Sequence, residues 1–298
     1  SRYIKSIPAK TGDPYYASTV LQLGMEGTNG GTVFTNSAPN ALTITASGNA
    51  QISTAQSRVG TSSAYFDGNG DYLTVQSDVG TGLGSGDFTV EAWIRPAAPI
   101  GGGSTNDRTI FGSVASTPNS IFFLTNDLNK PAHWDGTTQR TANTAIATDA
   151  WSHVVWMRTN GVLRIYINGI LDYSNAMTTS LPVATFYIGG TPANSRFMNG
   201  YIDNLRITKG VARYDANFTP QTTVYTEVFR PSTDPYAQNV ALLLRGKGKH
   251  LSPMARDFSI HRHGIGFNGT PAVDARFKKF NDHSLFFNGS SSEYYVSS

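Results

Sequence analysis

Cysteine is absent from all 298 residues. No disulfide can staple this chain and no thiolate can hold a metal, so the redox compartment stays open. Charge is also scarce, at 14% of residues. No stretch approaches the ~20 apolar residues of a membrane-spanning helix, and no signal peptide opens the chain. No segment keeps a helical period through three turns. Motifs that would announce catalysis are missing too: there is no G-x-S-x-G elbow, P-loop or H-E-x-x-H. With scattered histidines and no cysteine, a nucleophilic triad has no members. Glu91 is the lone acid of its strand, so paired carboxylates for glycosidic cleavage are lacking. An enzyme is not expected.

What is present points to β structure. Glycine numbers 30, aromatics reach 11%, and Ser, Thr and Asn supply the polarity, which is the profile of a turn-rich all-β protein. Aromatic and β-branched residues are too frequent for disorder. Short β-branched or aromatic runs predict strands near 20–25, 41–46, 63–66, 71–76, 87–95, 109–115, 120–125, 152–158, 162–167, 185–189, 200–208 and 223–229. Phe88, Val90, Ala92 and Ile94 alternate with Thr89, Glu91, Trp93 and Arg95, the period of a strand with two distinct faces. In WMRTNGVLRIYINGILDY, Asn160-Gly161 and Asn168-Gly169 suit type I′ hairpins, whose central residues need positive φ. Many short strands at this spacing imply an antiparallel two-sheet β-sandwich or jelly roll.

The chain also repeats itself. SSAYFDGNGDYLTVQS (Ser62 to Ser77) returns as HSLFFNGSSSEYYVSS (His283 to Ser298), 221 positions on. The same offset carries Asp13-Pro14-Tyr15 onto Asp234-Pro235-Tyr236, Leu21 and Leu23 onto Leu242 and Leu244, Ile44 onto Ile265, and Gly48 onto Gly269. Apolar residues and glycines keep their places, as a shared backbone requires. The reading is an arm or linker over 1–19, a full domain over 20–220, a linker over 221–239, and a partial second copy over 240–298. That fragment lacks counterparts of FTVEAWIRP and WSHVVWMR and would leave an open face and edge. Either the chain continues, or the fragment completes itself on a partner. The first residue is Ser1, so processing or an incomplete N-terminus is also expected.

Net charge is +3. Residues 245–280 hold eight Lys and Arg against Asp257 and Asp274. This basic excess would meet an acidic neighbour, nucleic acid or an anionic glycan, or form a solvated face that docks on another subunit. Docking is the expectation, with nucleic acid not expected and a homo- or hetero-oligomer implied.

The succession AYFDGNGDYLTV, DFTVEAWIRP, WSHVVWMRTNGVLRIYINGILD, FYIGG, GYIDNLRI and ARYDANFTP resembles the laminin-G/pentraxin-like group of concanavalin-A-like jelly rolls. The likeness covers roughly 20–219, and 240–298 resemble its opening third. It implies a sandwich whose rim loops bind sugars or protein surfaces, often with calcium. The ending R-Y-D-A-N-F-T-P is also similar to modules strung along phage virion proteins, such as tail fibres and capsid decorations. Fold likeness alone does not fix a task.

Candidate sites follow. Asp67 and Asp71 in F-D-G-N-G-D-Y would converge oxygens on calcium, or form a plain hairpin. The resemblance puts a calcium-ligating Asp about where Asp71 stands. Its acidic cluster after FYIGG is replaced here by Thr191-Pro192-Ala193-Asn194, and the second copy has Asn288 and Ser292 at the matching positions. Trp134 would be a sugar-stacking platform with Asn126, Asp127, His133 and Asp135 as hydrogen-bonding neighbours, or a cover for a sandwich edge. Arg196 and Phe197 would form a recognition tip, for sugar or for an interface. His261 and His263 share a strand face but have no third ligand. Trp93, Trp151 and Trp156 are assigned to packing. The resulting expectation is a non-catalytic structural or adhesion protein of a virion surface, with glycan binding through rim loops. The alternative is a carbohydrate-binding module of a secreted glycan-processing or cell-surface adhesion protein.

Overall fold

A computed structural model describes residues 13–39, 42–75, 82–97, 107–113, 121–126, 128–181, 184–192 and 196–225, with the backbone of six further strands between 244 and 297. The chain divides into two units, Ser1–Val228 and Phe229–Ser298. Among the described residues no helix is long and apolar enough to cross a membrane.

Among the described residues the first unit has fifteen strands. In chain order they begin with β1 (Thr19–Leu23), β2 (Ile44–Ser47), β3 (Gln51–Ser53), β4 (Ser63–Asp67) and β5 (Tyr72–Val75). Next come β6 (Phe88–Pro96), β7 (Arg108–Ser113), β8 (Ile121–Thr125), β9 (Pro131–Trp134) and β10 (Gln139–Thr141). The last five are β11 (Ser152–Thr159), β12 (Val162–Ile167), β13 (Ile170–Ala176), β14 (Phe186–Ile188) and β15 (Asn199–Lys209). They form two antiparallel sheets. Sheet A runs β13-β12-β11-β6-β15-β4-β3, with β1 also on β15, and sheet B runs β10-β9-β8-β7-β14-β5-β2. The all-β sandwich is therefore as the composition and turn spacing imply.

Alternation decides what lies between the sheets. Phe88, Val90, Ala92 and Ile94 of β6 join Val154 and Trp156 of β11 and Leu163 and Ile165 of β12 from sheet A. Sheet B answers with Leu73, Val75, Phe111, Phe123, Phe186 and Ile188. Phe111 stacks on Phe186 with centroids 4.5 Å apart, and Phe123 meets Trp156 edge-on at 5.9 Å. Both Asn-Gly hairpins form as expected: φ is +48° and +74° at Asn160-Gly161, and +50° and +81° at Asn168-Gly169.

Four strands escape the sequence pattern. β3 and β10 are three residues each, too short for any period to register. β9 opens on Pro131 and contains a buried histidine. β13 is mostly exposed, so its residues follow no burial alternation. Conversely, residues 223–225 of the strand expected at 223–229 are not a strand, because they pack by side chain. Asn204 accepts the Tyr225 amide, and Tyr225 lies beneath the Arg206 guanidinium at 4.0 Å.

The second unit contributes β16 (Leu244–Gly246), β17 (Ala255–Asp257), β18 (Gly264–Asn268), β19 (Ala272–Asp274), β20 (Ser284–Phe286) and β21 (Glu293–Ser297). Several of their pairs repeat first-unit pairs moved by 221. Ile265 faces Val296 as Ile44 faces Val75. Val273 faces Leu285 as Ile52 faces Ala64. Leu244 faces Asp257 as Leu23 faces Asn36. His261, His263, Asn288 and Ser292 lie outside the described residues.

Candidate functional site

Strand register assembles one continuous row across the outer face of sheet B. Thr45 faces Thr74, Thr74 faces Tyr187, Tyr187 faces Gly112, Gly112 faces Phe122, Phe122 faces Trp134, and Trp134 faces Gln139. Directly opposed residues share a face. Their chain neighbours Leu73, Phe111, Phe123 and Phe186 fill the core, so the row points away from it. Tyr72 joins from two positions along β5, its ring edge-on to Tyr187 at 5.7 Å. Tyr72, Tyr187 and Trp134 are half-buried, while Phe122 is fully covered.

A charge sits on this row. The Arg196 guanidinium lies over the Phe122 ring, 5.0 Å from its centroid, and pairs with Asp107 at 3.6 Å. Its backbone carbonyl accepts the Thr109 amide, which fixes the tip against β7. Half-exposed aromatic faces around a directed guanidinium–carboxylate pair can stack on apolar rings while hydrogen-bonding hydroxyls.

The sequence-derived candidates divide accordingly. Trp134 and Arg196 come together over Phe122. His133 and Asp135 flank Trp134 in sequence, and strand alternation turns them to the other side. His133 is stacked on Phe123 at 4.5 Å, and its Nδ1 lies 3.1 Å from the Phe122 carbonyl oxygen, to which it donates. Burial drives its pKa down to about 3, so the ring is neutral. Burial raises the Asp135 carboxyl, but the Thr138 amide, the Thr179 hydroxyl and the Thr137 amide and hydroxyl prevail and hold it far below the usual range. Asp135 also pairs with Arg140 at 2.7 Å. Its oxygens are spent within the domain. Asn126 accepts the amides of Leu128 and Lys130, closing the β8–β9 turn. Phe197 packs against Gly190. Asp127 lies outside the described residues.

Asp67 and Asp71 occupy a knot between two hairpins. Asp71 accepts the Asp67 amide at 2.9 Å and also the Asn49 amide. Asp67 accepts the Asn69 amide at 2.7 Å and the Asn49 side-chain amide at 2.9 Å. Burial raises the Asp71 pKa against those amides. Among the described residues no three His, Cys, Asp or Glu gather as a metal site.

Sequence reasoning also did not find a buried charge network on the outer face of sheet A. Glu91 is fully buried and accepts Arg206 Nε at 2.8 Å and the Tyr214 hydroxyl at 2.6 Å. Burial would raise its pKa, but Arg206, His153 and Arg213 outweigh this and keep it ionised. Arg213 reaches Asp13 with two nitrogens, each at 2.8 Å. Tyr214 and Phe218 stack with centroids 3.6 Å apart over Val155, Met157 and Tyr166. The segment from Val211 to Tyr225 thus straps the face shut, with Trp93 Nε1 donating to the Gln221 carbonyl. Glu91's isolation in sequence gave no hint of this, because its partners are 115 and 123 residues away.

The two antiparallel sheets form a sandwich consistent with a concanavalin A-like jelly roll. Residues 67–213 match the laminin-G-type family model of the Concanavalin A-like lectin/glucanases superfamily. The binding domain of Paraclostridial Mosquitocidal Protein 1 shares the fold at 15% identity and a TM-score of 0.51, over 66% of this chain and 50% of that one. The botulinum neurotoxin serotype D binding domain does so at 15% identity and a TM-score of 0.50, over 66% of this chain and 49% of that one. The chain therefore spans about half the length of these structures. No curated protein matches it in sequence.

Proposed function

We propose that the sandwich is a non-catalytic adhesion module that binds saccharide on the outer face of sheet B, and that it serves on a virion surface. The observation that carries the binding reading is the register row, which sets Tyr187 and Trp134 on one face with Arg196 above Phe122 between them. Support comes from the lectin-containing superfamily of its family model and from the binding domains that share its fold. The virion setting rests on the likeness of R-Y-D-A-N-F-T-P to phage virion modules. The non-catalytic reading is supported by Glu91, which lies sealed under Tyr214 and Arg206 rather than facing the row.

The test is a glycan array probed with the wild-type chain and with Trp134→Ala. Loss of the stacking ring should weaken retained glycans on the order of tenfold, while Trp151→Ala, whose ring lies by Tyr201 on sheet A, should leave them unchanged. Equal retention by both variants would remove the row from the binding surface. Turnover of any polysaccharide by the wild-type chain would overturn the non-catalytic reading.

A further inference from the structure

We infer that the outer face of sheet A carries a docking surface for a second copy of this chain: the row Gln51, Tyr65, Tyr201, Arg95 and Trp151, which meets the same row of its partner in reverse order. Register builds the row. Gln51 faces Tyr65, Tyr65 faces Tyr201, and Tyr201 faces Arg95. Ser152 faces Ile94, so Trp151 comes beside Arg95. The chain neighbours Ile52, Ala64, Ile202 and Ile94 fill the core, which turns the row outward. It crosses five strands, about 19 Å at the usual strand spacing. The Tyr65 and Tyr201 centroids are 5.0 Å apart, those of Trp151 and Tyr201 6.4 Å, and the Arg95 guanidinium lies 5.8 Å from the Tyr201 ring. Trp93, one period along β6, is buried, with Arg58 over it at 4.2 Å and Gln221 accepting its Nε1 hydrogen. All five residues of the row are only half-buried. Tyr, Trp and Arg are the side chains that most often anchor protein interfaces.

Charge names the occupant. Tyr201 is the middle of the row, and the two sides of it differ in sign. On one side is Arg95. Its carboxylate partner Asp149, at 3.2 Å, is 55% exposed, and such a surface pair is weak enough for the guanidinium to be shared. On the other side is Tyr65, whose pKa is raised by burial, by Tyr201 and by the charges of Asp67 and Asp71. Asp67 stands two residues on from Tyr65 and shares its face. A two-fold axis along β15 reverses the row. Tyr201 then meets the partner's Tyr201, Arg95 meets the partner's Tyr65 beside the partner's Asp67, and Gln51 meets the partner's Trp151 at the rim, where contacts contribute little. Each contact forms twice, as an isologous interface requires. A two-fold axis along the row would instead set Arg95 against the partner's Arg95, which like charge disfavours. An anionic polymer would meet Asp67 and Asp149. With sheet A faces together, the two sheet B rows point away from each other, and the dimer is bivalent.

The absence of cysteine lets single introduced thiols report the arrangement. Sedimentation of the full chain should show a concentration-dependent dimer. Arg95→Glu should weaken it on the order of a hundredfold, tenfold for each of the two symmetric contacts, while Trp134→Ala on sheet B should leave it unchanged. Cross-linking keeps Arg95 in place and decides the matter even where Arg95→Glu fails to fold. Facing sheets pack about 10 Å apart, within reach of a short bismaleimide. Reversal of the row puts unlike ends at that separation and like ends about 20 Å apart. A mixture of Gln51→Cys and Trp151→Cys chains should therefore cross-link on the order of tenfold faster than either variant alone. A monomer at every concentration, a dimer indifferent to Arg95→Glu, or like ends that cross-link best would overturn the inference. So would a monomeric chain whose glycan retention falls with Trp151→Ala, which would make the row a saccharide platform instead.

Discussion

Replacing Glu91 by Gln removes one negative charge from a fully buried site and leaves the shape nearly unchanged. In the native domain that charge faces Arg206 at 2.7 Å and Arg213 at 3.8 Å, and it accepts the Tyr214 hydroxyl. Without it, Arg206 keeps Asp13, at 3.2 Å, as a carboxylate partner. Breaking a buried pair from one side costs about 3–5 kcal/mol, and the remaining Asp13 contact argues for the lower end. For a domain of this size about 3 kcal/mol lowers Tm by roughly 6–12 °C. Calorimetry of the full chain at neutral pH reads this as a shift of the first unit's transition. Tyr214→Phe, which keeps the stack on Phe218 and loses only the hydroxyl, should cost less, about 1.5–3 kcal/mol. Glu91→Met combined with Arg206→Met should recover much of the loss, because a buried pair replaced on both sides no longer strands a charge. A Tm for Glu91→Gln within about 3 °C of wild type would show that the network does not hold the strap.

Acid should weaken the domain in a defined window. Burial depresses His153 to about 4 and His133 to about 3, so each contributes stability that is full above the unfolded value near 6.5 and is lost as pH falls toward the folded one. Asp203, raised by burial to about 6, runs the other way, favouring the fold below about 4 and losing that contribution as pH rises to 6. Asp71, which burial also raises, acts with Asp203, but the two histidines are displaced further and give a net fall in Tm between pH 6.5 and 4, which His153→Gln should flatten; a Tm that rises on acidification would contradict this. Gly48 has φ of +68°, and a Cβ there would lie 2.7 Å from the Gly70 carbonyl oxygen. Gly48→Ala should therefore destabilise by at least about 1–2 kcal/mol, and a chemical melt unchanged in midpoint would show that the Asp71 knot can relax.

Strand positions were legible in this sequence wherever a strand was long and alternated. β6, β11 and β15 are of that kind, and both Asn-Gly hairpins announced themselves through the φ their turns require. Trp134 and Arg196 also stood out, one a large ring in a polar loop region and the other a cation at a tip, and the structure brings both to Phe122. Their neighbours were not legible. His133 and Asp135 looked like companions of Trp134 because sequence adjacency suggests spatial company, yet in a strand adjacent residues face apart. Phe122, Tyr187 and Tyr72 drew no notice in the sequence, since only cross-strand register shows that they share the outer face of sheet B. Register in turn depends on the bulge between Thr109 and Phe111, which no pattern in the chain marks. The Glu91 network was hidden for a related reason. Its members come from Asp13 to Tyr214, and each alone is an ordinary charged or phenolic residue. The internal repeat was the strongest long-range signal, because it compares backbone requirements directly and needs no knowledge of pairing.

The bond between Asp13 and Arg213 spans 200 residues, and it has a kinetic meaning. On a ribosome, β6 and β11 emerge long before the segment that covers Glu91, so the nascent domain waits with an apolar face and a buried-to-be carboxylate still wet. Such a topology closes late and slowly, because the contacts over Glu91 can form only once the stretch to Tyr225 has been made. A message truncated before Val211 should yield aggregate rather than a weakened domain.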